Sequence, residues 1–349
     1  MSNHRHPAPD YRLVVNGQDI TAKVNPRLIN LTLSEGREGA ADTLELTLAD
    51  HDGQLALPRK GATIELQLGW RGQPLVDKGS FEVDEVEHSG APDQISIKAR
   101  SADLKRKLRQ RTEKSWHNTT VGAIVQEIAA RHGLAPRVGG ALAATRVEHI
   151  DQTNESDLHF CTRLARQHDA VCTVKKGQLV FLRTNSRTTA GGQTLEAMQI
   201  TRTDGDQHRY HTAERNAYSG VRAYWHDPKT AQKRSVLAGT EATEKRLKDT
   251  YATEADALAA AQAEQQRVTR GKATFDLALA LGRPELMPQT PVTVNGFKPE
   301  IDGTEWLVVK LTHSLGDQGL TTRLELETHA VPASEAGADD EGNEAQNEE

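Results

Sequence analysis

From Tyr11 to about Ser101 apolar residues alternate with polar ones: Ile29, Leu31 and Leu33, then Leu44, Leu46 and Leu48, then Ile64, Leu66, Leu68 and Trp70, then Ile95, Ile97 and Ala99. A period of two puts the apolar side chains on one face of half-buried antiparallel strands. EGREGAAD (35–42), DHDGQ (50–54) and RGQP (71–74) separate the runs, and their Gly, Asp and Pro content suits turns. The pattern predicts an all-β unit over residues 10–115, a sandwich or a barrel.

Near Trp116 the period lengthens. Val121, Ile124, Val125, Ile128 and Ala129 share one helix face, with Thr119 or Thr120 as N-cap and Gly133 as the stop. A second helix is expected over Glu155 to His168, capped by Asn154. Its acids Glu155 and Asp157 come first, its bases Arg163, Arg166 and His168 follow, and Leu158, Cys161, Leu164 and Ala165 form its apolar stripe. AVCTVKKGQLVFL (170–182) then reads as a hairpin, Ala170 to Val174 and Gln178 to Leu182, turning at Lys175 to Gly177. Residues 116–184 are thus expected to form a small α/β unit of two helices and a hairpin.

Strand-like runs resume after Asn185, around Tyr218 to Trp225, at Phe275, Leu277, Leu279 and Leu281, at Val292 and Val294, over Trp306 to Leu311, and at Leu324 and Leu326. They predict a second β-unit over residues 185–332. Within it Thr253 to Arg270 has high helix propensity and opens on a Thr253/Asp256 capping pair. This helix is polar nearly all round, so it is expected outside a barrel or between subunits rather than in a core. The class is mainly β (α+β).

Only 36% of the 349 residues are hydrophobic and 4% aromatic, so the cores should be thin. The net charge of -6 is concentrated in residues 333–349, which hold seven acids and no base; without them the body is near neutral. That acidic tail and residues 1–9 are expected to be disordered. Cys161 and Cys172 make neither a CxxC pair nor a metal-ligand spacing, and are expected as small buried apolar residues. No run approaches the ~20 apolar residues of a membrane span, and MSNHRHPAPD lacks the apolar core of a secretory signal.

Catalytic patterns are missing: there is no HExxH, no GxSxG, no P-loop, no GxGxxG after a strand and no EF-hand loop. No catalytic residue, metal or cofactor is expected. His208 and His211 lie three apart without a third ligand and are expected in a solvated loop. Asp50, His51 and Asp52 have the letters of a hydrolase trio, but consecutive residues of a turn point in different directions. Lys98 to Lys114 (KARSADLKRKLRQRTEK) carries eight bases against two acids, including Lys105, Arg106, Lys107, Arg109 and Arg111. It lacks the aromatic residues that stack on nucleic acid. It reads as a solvated helix and linker leaving the first β-unit, or as a contact in an assembly whose charges set register.

Five stretches, taken in order, resemble the phage late control gene D protein family, the hub proteins of contractile phage tails and of phage-derived bacteriocin particles. They are DITAKVNPRLINLTLSEGREGAADTLELTLADHDG (19–53), LPRKGATIELQLGW (57–70), GSFEVDEVEHSGAPDQISIKARSADLKRKL (79–108), SWHNTTVGAIVQEIAARHGL (115–134) and DQTNESDLHFCTRLARQHDAVCTVKKGQLVF (151–181). The last is the most specific. Its Gln152, Asn154, Glu155, Ser156 and Asp157 look like a Q-x-NESD signature that is also similar to the hub-like part of type VI secretion spike proteins. Physically the signature is a polar box that starts a helix, a folding element more than an active site. Cys161 stands on the stripe where the resemblance would place a larger aliphatic residue.

The resemblance implies two tail-tube-like antiparallel β-barrels with the small α/β unit inserted between them. It further implies a homotrimeric ring of six barrels, joining a hexameric tail tube to a trimeric spike, with no enzymatic turnover. The implied partners are further copies of the chain, the tail spike protein, the tail tube or tube-initiator protein, and the tape measure protein, with no membrane and no nucleic acid. The implied location is the bacterial host cytoplasm during assembly and then the tail baseplate of the particle. Two other classes compete with this one. A tail-associated peptidoglycan hydrolase would need two carboxylates about 5 to 9.5 Å apart in a cleft, and a nucleic-acid-binding regulator would use Lys98 to Lys114.

Overall fold

A computed structural model describes residues 7–37, 41–101, 108, 110–184, 186, 193–213 and 218–329. The acidic tail 333–349 therefore lies outside the described residues, as do residues 1–6 of the expected disordered start; Pro9 already opens a strand.

The N-terminal part consists of β1 (Pro9–Val15), β2 (Gln18–Asp19), the single turn α1 (Thr21–Val24), β3 (Leu28–Gly36), β4 (Thr43–Ala49), β5 (Thr63–Trp70), β6 (Val76–Ser89) and β7 (Gln94–Ser101). The alternation seen in the sequence is the alternation of burial: Leu44, Leu46 and Leu48, then Ile64, Leu66 and Leu68, then Ile95, Ile97 and Ala99 all face the core. Ile29 departs from it. A register shift between Leu28 and Asn30 bulges β3 against β4, and Ile29 is left 43% exposed although it has the parity of Leu31 and Leu33.

The middle of the chain forms β8 (Arg111–Thr120), α2 (Val121–Arg131), β9 (Ala135–Val138), α3 (Gly140–Ala143), β10 (Arg146–Ser156), α4 (Asp157–Gln167), β11 (Ala170–Lys175) and β12 (Gln178–Arg183). Helix α2 begins where the Thr120 hydroxyl accepts a bond from the Ala123 N–H, and the chain leaves it at Gly133 with φ +62. β11 and β12 form the expected hairpin, turning through Lys176 (φ +51) and Gly177 (φ +70), while β9 adds in parallel to β12. Helices α2 and α4 bury Ile124, Val125, Ile128, Phe160, Cys161 and Leu164 against Phe181 and its sheet neighbours. β8 and β10 pair as a separate two-stranded ribbon.

The C-terminal part holds β13 (Met198–Thr201), β14 (Gly205–Thr212), β15 (Gly220–Asp227), β16 (Gln232–Gly239), β17 (Glu244–Tyr251), α5 (Glu254–Arg270), β18 (Ala273–Leu279), β19 (Pro291–Asn295), α6 (Pro299–Asp302), β20 (Trp306–Gly316) and β21 (Gly319–Thr328). One sheet runs through both ends of the chain in the order β14-β18-β21-β20-β3-β4-β7-β6-β5-β1-β2, with β19 also on β20 and β13 on β19. The seam is the antiparallel pair β20 and β3, from Lys310 opposite Gly36 to Leu315 opposite Leu31. Leu315 and Leu320, at the tip of the β20–β21 hairpin, complete the N-terminal core, whereas Phe275, Leu277, Trp306 and Leu324 belong to a second core.

Three expectations change. Helix α5 is not polar all round: it covers the small sheet β16-β15-β17, packing Ala257 and Ala261 on Val221, Ala223 and Ala238. Its apolar stripe is made of alanines, which in the sequence signal helix propensity rather than a buried face. His208 and His211 lie in β14, not in a loop. Leu281 lies past the end of β18 and is 52% exposed.

Candidate functional site

The signature residues sit at a corner between two elements. Gln152, Asn154, Glu155 and Ser156 end β10, and Asp157 opens α4. The helix starts later than expected: Ser156, not Asn154, is its N-cap and accepts the His159 N–H at 3.2 Å. Asn154 instead takes φ +49 inside a register shift between Gln152 and Glu155, a backbone state that asparagine tolerates better than most residues. Glu155 reaches forward from the strand to accept from His159 Nδ1 (3.0 Å) and Arg163 Nε (3.1 Å).

Gln152 and Asp157 are both 1% exposed. The two protons of Gln152 Nε2 are shared among Thr112 Oγ1 (2.8 Å), the Glu155 carbonyl (3.1 Å) and Asp157 Oδ1 (2.8 Å). Asp157 also meets Arg131 Nη1 at 3.0 Å and His132 Nε2 at 2.7 Å. Burial alone would raise the Asp157 carboxyl; the bonds from Gln152 and His132 and the Arg131 charge outweigh it and hold the group below the usual carboxylate range. One carboxylate thus ties β8, the end of α2, β10 and the start of α4 together.

The basic stretch is not a helix at its ends. Lys98 and Arg100 lie in β7, facing Glu85 (3.6 Å) and Asp84 (2.9 Å). Lys114 lies in β8, pairs with Glu127 and sits 3.9 Å above the Trp116 ring. Arg111 is exposed at the start of β8, and Lys105, Arg106, Lys107 and Arg109 lie outside the described residues.

Two buried ion clusters join the three parts of the chain, and the sequence reading missed both. In the first, Lys78 Nζ meets Glu35 Oε2 at 2.6 Å and donates to the Pro284 carbonyl at 3.0 Å; Lys175 meets Asp42 at 3.1 Å and Glu35 at 3.6 Å; His313, fully buried, lies 3.6 Å from Glu35. Burial alone would raise the Glu35 carboxyl, but His313, Lys78 and Lys175 hold it at about 2. In the second cluster Arg270 binds Asp169 and Glu327, and Glu327 also binds Arg37. One signal was available for the first: Glu35 continues the buried parity of Leu31 and Leu33, a charge where the pattern asks for an apolar residue.

No catalytic set emerges from the candidate trio. Asp50 is buried and accepts the Leu55 N–H at 3.0 Å, while Asp52 binds Arg27 at 2.5 Å. Among the described residues no group of three or more His, Cys, Asp or Glu side chains could hold a metal ion, and no helix is long and apolar enough to cross a membrane. Cys161 and Cys172 are free and buried.

The fold is that of phage tail proteins. It matches the 43 kDa tail protein of prophage MuSo2 from Shewanella oneidensis with a TM-score of 0.66 at 16% identity, over 91% of this chain and 98% of that one. It also matches the E. coli c3393 protein, a component of the type VI secretion system, with a TM-score of 0.55 at 14% identity, over 87% and 74%. The chain belongs to the phage tail baseplate hub (GPD) family, whose pattern matches residues 41–319. It is 42% identical to the probable baseplate hub protein of Escherichia phage 186, over 92% of this chain and 93% of that protein, and 41% identical to that of Escherichia phage P2, over 95% and 96%. Its role is therefore that of a structural baseplate hub.

Proposed function

We propose that three copies of this chain form a ring that joins a hexameric tail tube to a trimeric spike, without enzymatic turnover. The observation that carries this reading is the seam between β3 and β20, which joins strands β1–β7 of the N-terminal part and β13, β14 and β18–β21 of the C-terminal part in a single sheet. A chain that presents two such units needs three copies to present six, and that count reconciles threefold with sixfold symmetry. The small α/β unit, residues 116–184, is braced at its corner by Gln152, Asn154, Glu155, Ser156 and Asp157, which act as a folding element. Lys105, Arg106, Lys107, Arg109 and Arg111 form a contact to a neighbouring component, their charge setting register. The tube or tube-initiator protein and the tape measure protein are further neighbours.

Light scattering on the purified chain, alone and co-expressed with the spike protein of the same particle, tests the ring. Three times the chain mass is expected in at least one sample, and deletion of Leu320 to Thr328 should abolish it. A monomer in both samples overturns the trimer. Clearing of purified peptidoglycan by the chain, dependent on one acidic residue, would overturn the absence of turnover.

A further inference from the structure

We propose that His117 and His149 form a surface site for a divalent transition metal ion of the Zn²⁺, Co²⁺ or Ni²⁺ class, held by their two Nδ1 atoms. The site is built on the β8–β10 ribbon, where Ser115 is opposite Asp151 and His117 is opposite His149. Trp116, its cross-strand partner Ile150 and the buried Gln152 face inward, so by strand alternation Ser115, His117, His149 and Asp151 share the solvent face.

The polar ladder on that face sets the proton positions. Asp151 accepts from Ser115 Oγ at 2.6 Å and meets His149 Nε2 at 3.1 Å. A carboxylate only accepts, so in the neutral ring the His149 proton sits on Nε2 and Nδ1 carries a lone pair. That Nδ1 lies 3.0 Å from His117 Nδ1, while the ring centroids are 4.6 Å apart, so the rings converge on their Nδ1 edges. In the metal-free pair His117 donates across this gap. His117 is an exposed residue, and moving its proton from Nδ1 to Nε2 leaves the ring neutral and turns a second lone pair toward the same point.

The spacing fits a metal. Two imidazole nitrogens, each about 2.0–2.1 Å from an ion and separated by about 90 to 109°, stand about 2.8 to 3.4 Å apart. Imidazole is a preferred ligand of Zn²⁺ and Ni²⁺. The Asp151–His149 bond supplies the outer contact that metal-bound histidines usually make, and Ser115 in turn fixes Asp151. The other coordination positions are left to water or to a ligand from a neighbouring molecule.

The test uses the full chain freed of metal by chelation. Titration with Co²⁺, read by visible absorbance, and with Zn²⁺, read by calorimetry, should show an ion held by this pair. His117→Ala and His149→Ala should each weaken that binding by more than about tenfold, and Asp151→Asn by about tenfold or more, the range for loss of an outer contact. A His4→Ala/His6→Ala double variant should leave the same binding intact, and circular dichroism of the exposed-site variants checks that they fold. Absence of binding, or binding that survives both His117→Ala and His149→Ala, overturns the proposal.

Discussion

Glu35 occupies the buried face of β3 two residues beyond Leu33, and what makes a charge tolerable there is Lys78, itself 4% exposed. Replacing Glu35 by Gln leaves the ammonium buried beside neutral groups, which should lower the unfolding free energy by about 3 to 5 kcal/mol in a urea titration. The double change Glu35→Leu with Lys78→Met removes both charges and should recover most of that loss. The pH dependence follows from the same environments. Glu35 titrates at about 2 in the fold against 4.5 when unperturbed, so its contribution is complete above pH 4.5 and vanishes as pH falls through 2. His168 works in the mildly acidic range: burial, with the Arg183 charge adding, pushes its ring down to about 4. Between pH 6.5 and 4 the unfolded chain then binds more protons than the fold, so stability falls as pH falls. His168→Gln should flatten the dependence of the urea midpoint on pH in that window by up to one proton's worth, leaving the share of His313, which burial also pushes down.

Gly122 shows two rules competing within one element. It lies in the first turn of α2, where alanine would favour the helix by about 1 kcal/mol, but a Cβ there would stand 2.8 Å from the Ala143 carbonyl oxygen and 3.0 Å from its Cα. Backbone on the opposing side cannot step aside as a side-chain tip can, so Gly122→Ala should be destabilising by about 1 to 2 kcal/mol net, read from the urea midpoint. Thr120→Ala should lose about 1 kcal/mol through the cap alone. These local signals are those the sequence makes plain: the α2 stripe, its cap, the Lys176–Gly177 turn and the alternating strands of the N-terminal part are each set by near neighbours. What stayed hidden depends on distant partners. β16 (QKRSVLAG) and β17 (EKRLKDTY) carry no apolar alternation because the alanine face of α5 buries little of them, Ala238 alone of β16 and no residue of β17 being fully covered. The cap shifted from Asn154 to Ser156 because β10 continues to Ser156, pairing Glu155 with Thr112 and Ser156 with Arg111 across the bulge. Of the signature, the residue types were legible, but the convergence of Thr112, Arg131 and His132 on Asp157 and its neighbour Gln152 was not, since 25 to 45 residues of chain separate the contacting pairs in the sequence.

At the scale of the whole molecule, Arg270 is the point where the three parts of the chain meet. Its side chain is 2% exposed and ends α5; Asp169 comes from the turn between α4 and β11, Glu327 from β21, and Glu327 is shared with Arg37 just beyond β3. The β3–β20 seam already couples the two ends of the chain through backbone bonds, whereas the middle part is tied to them chiefly by side chains: here, at Lys175 with Glu35 and Asp42, and where Arg267 donates to the Arg166 carbonyl at 3.1 Å. Calorimetry of the intact chain should accordingly show one cooperative unfolding transition. Arg270→Met keeps the length of the side chain but strands the Asp169 carboxylate, 7% exposed, and a buried charge without its partner costs about 3 to 5 kcal/mol. The loss falls on the contact between the middle part and the rest, so the single transition should split, with the α/β unit melting first. Adding Asp169→Asn removes the stranded charge, keeps a residue suited to φ +47 at that position, and should restore most of the midpoint. If Arg270→Met melts in one transition at an unchanged temperature, the cluster is not what couples the parts, and the Lys175 contacts become the element to remove next.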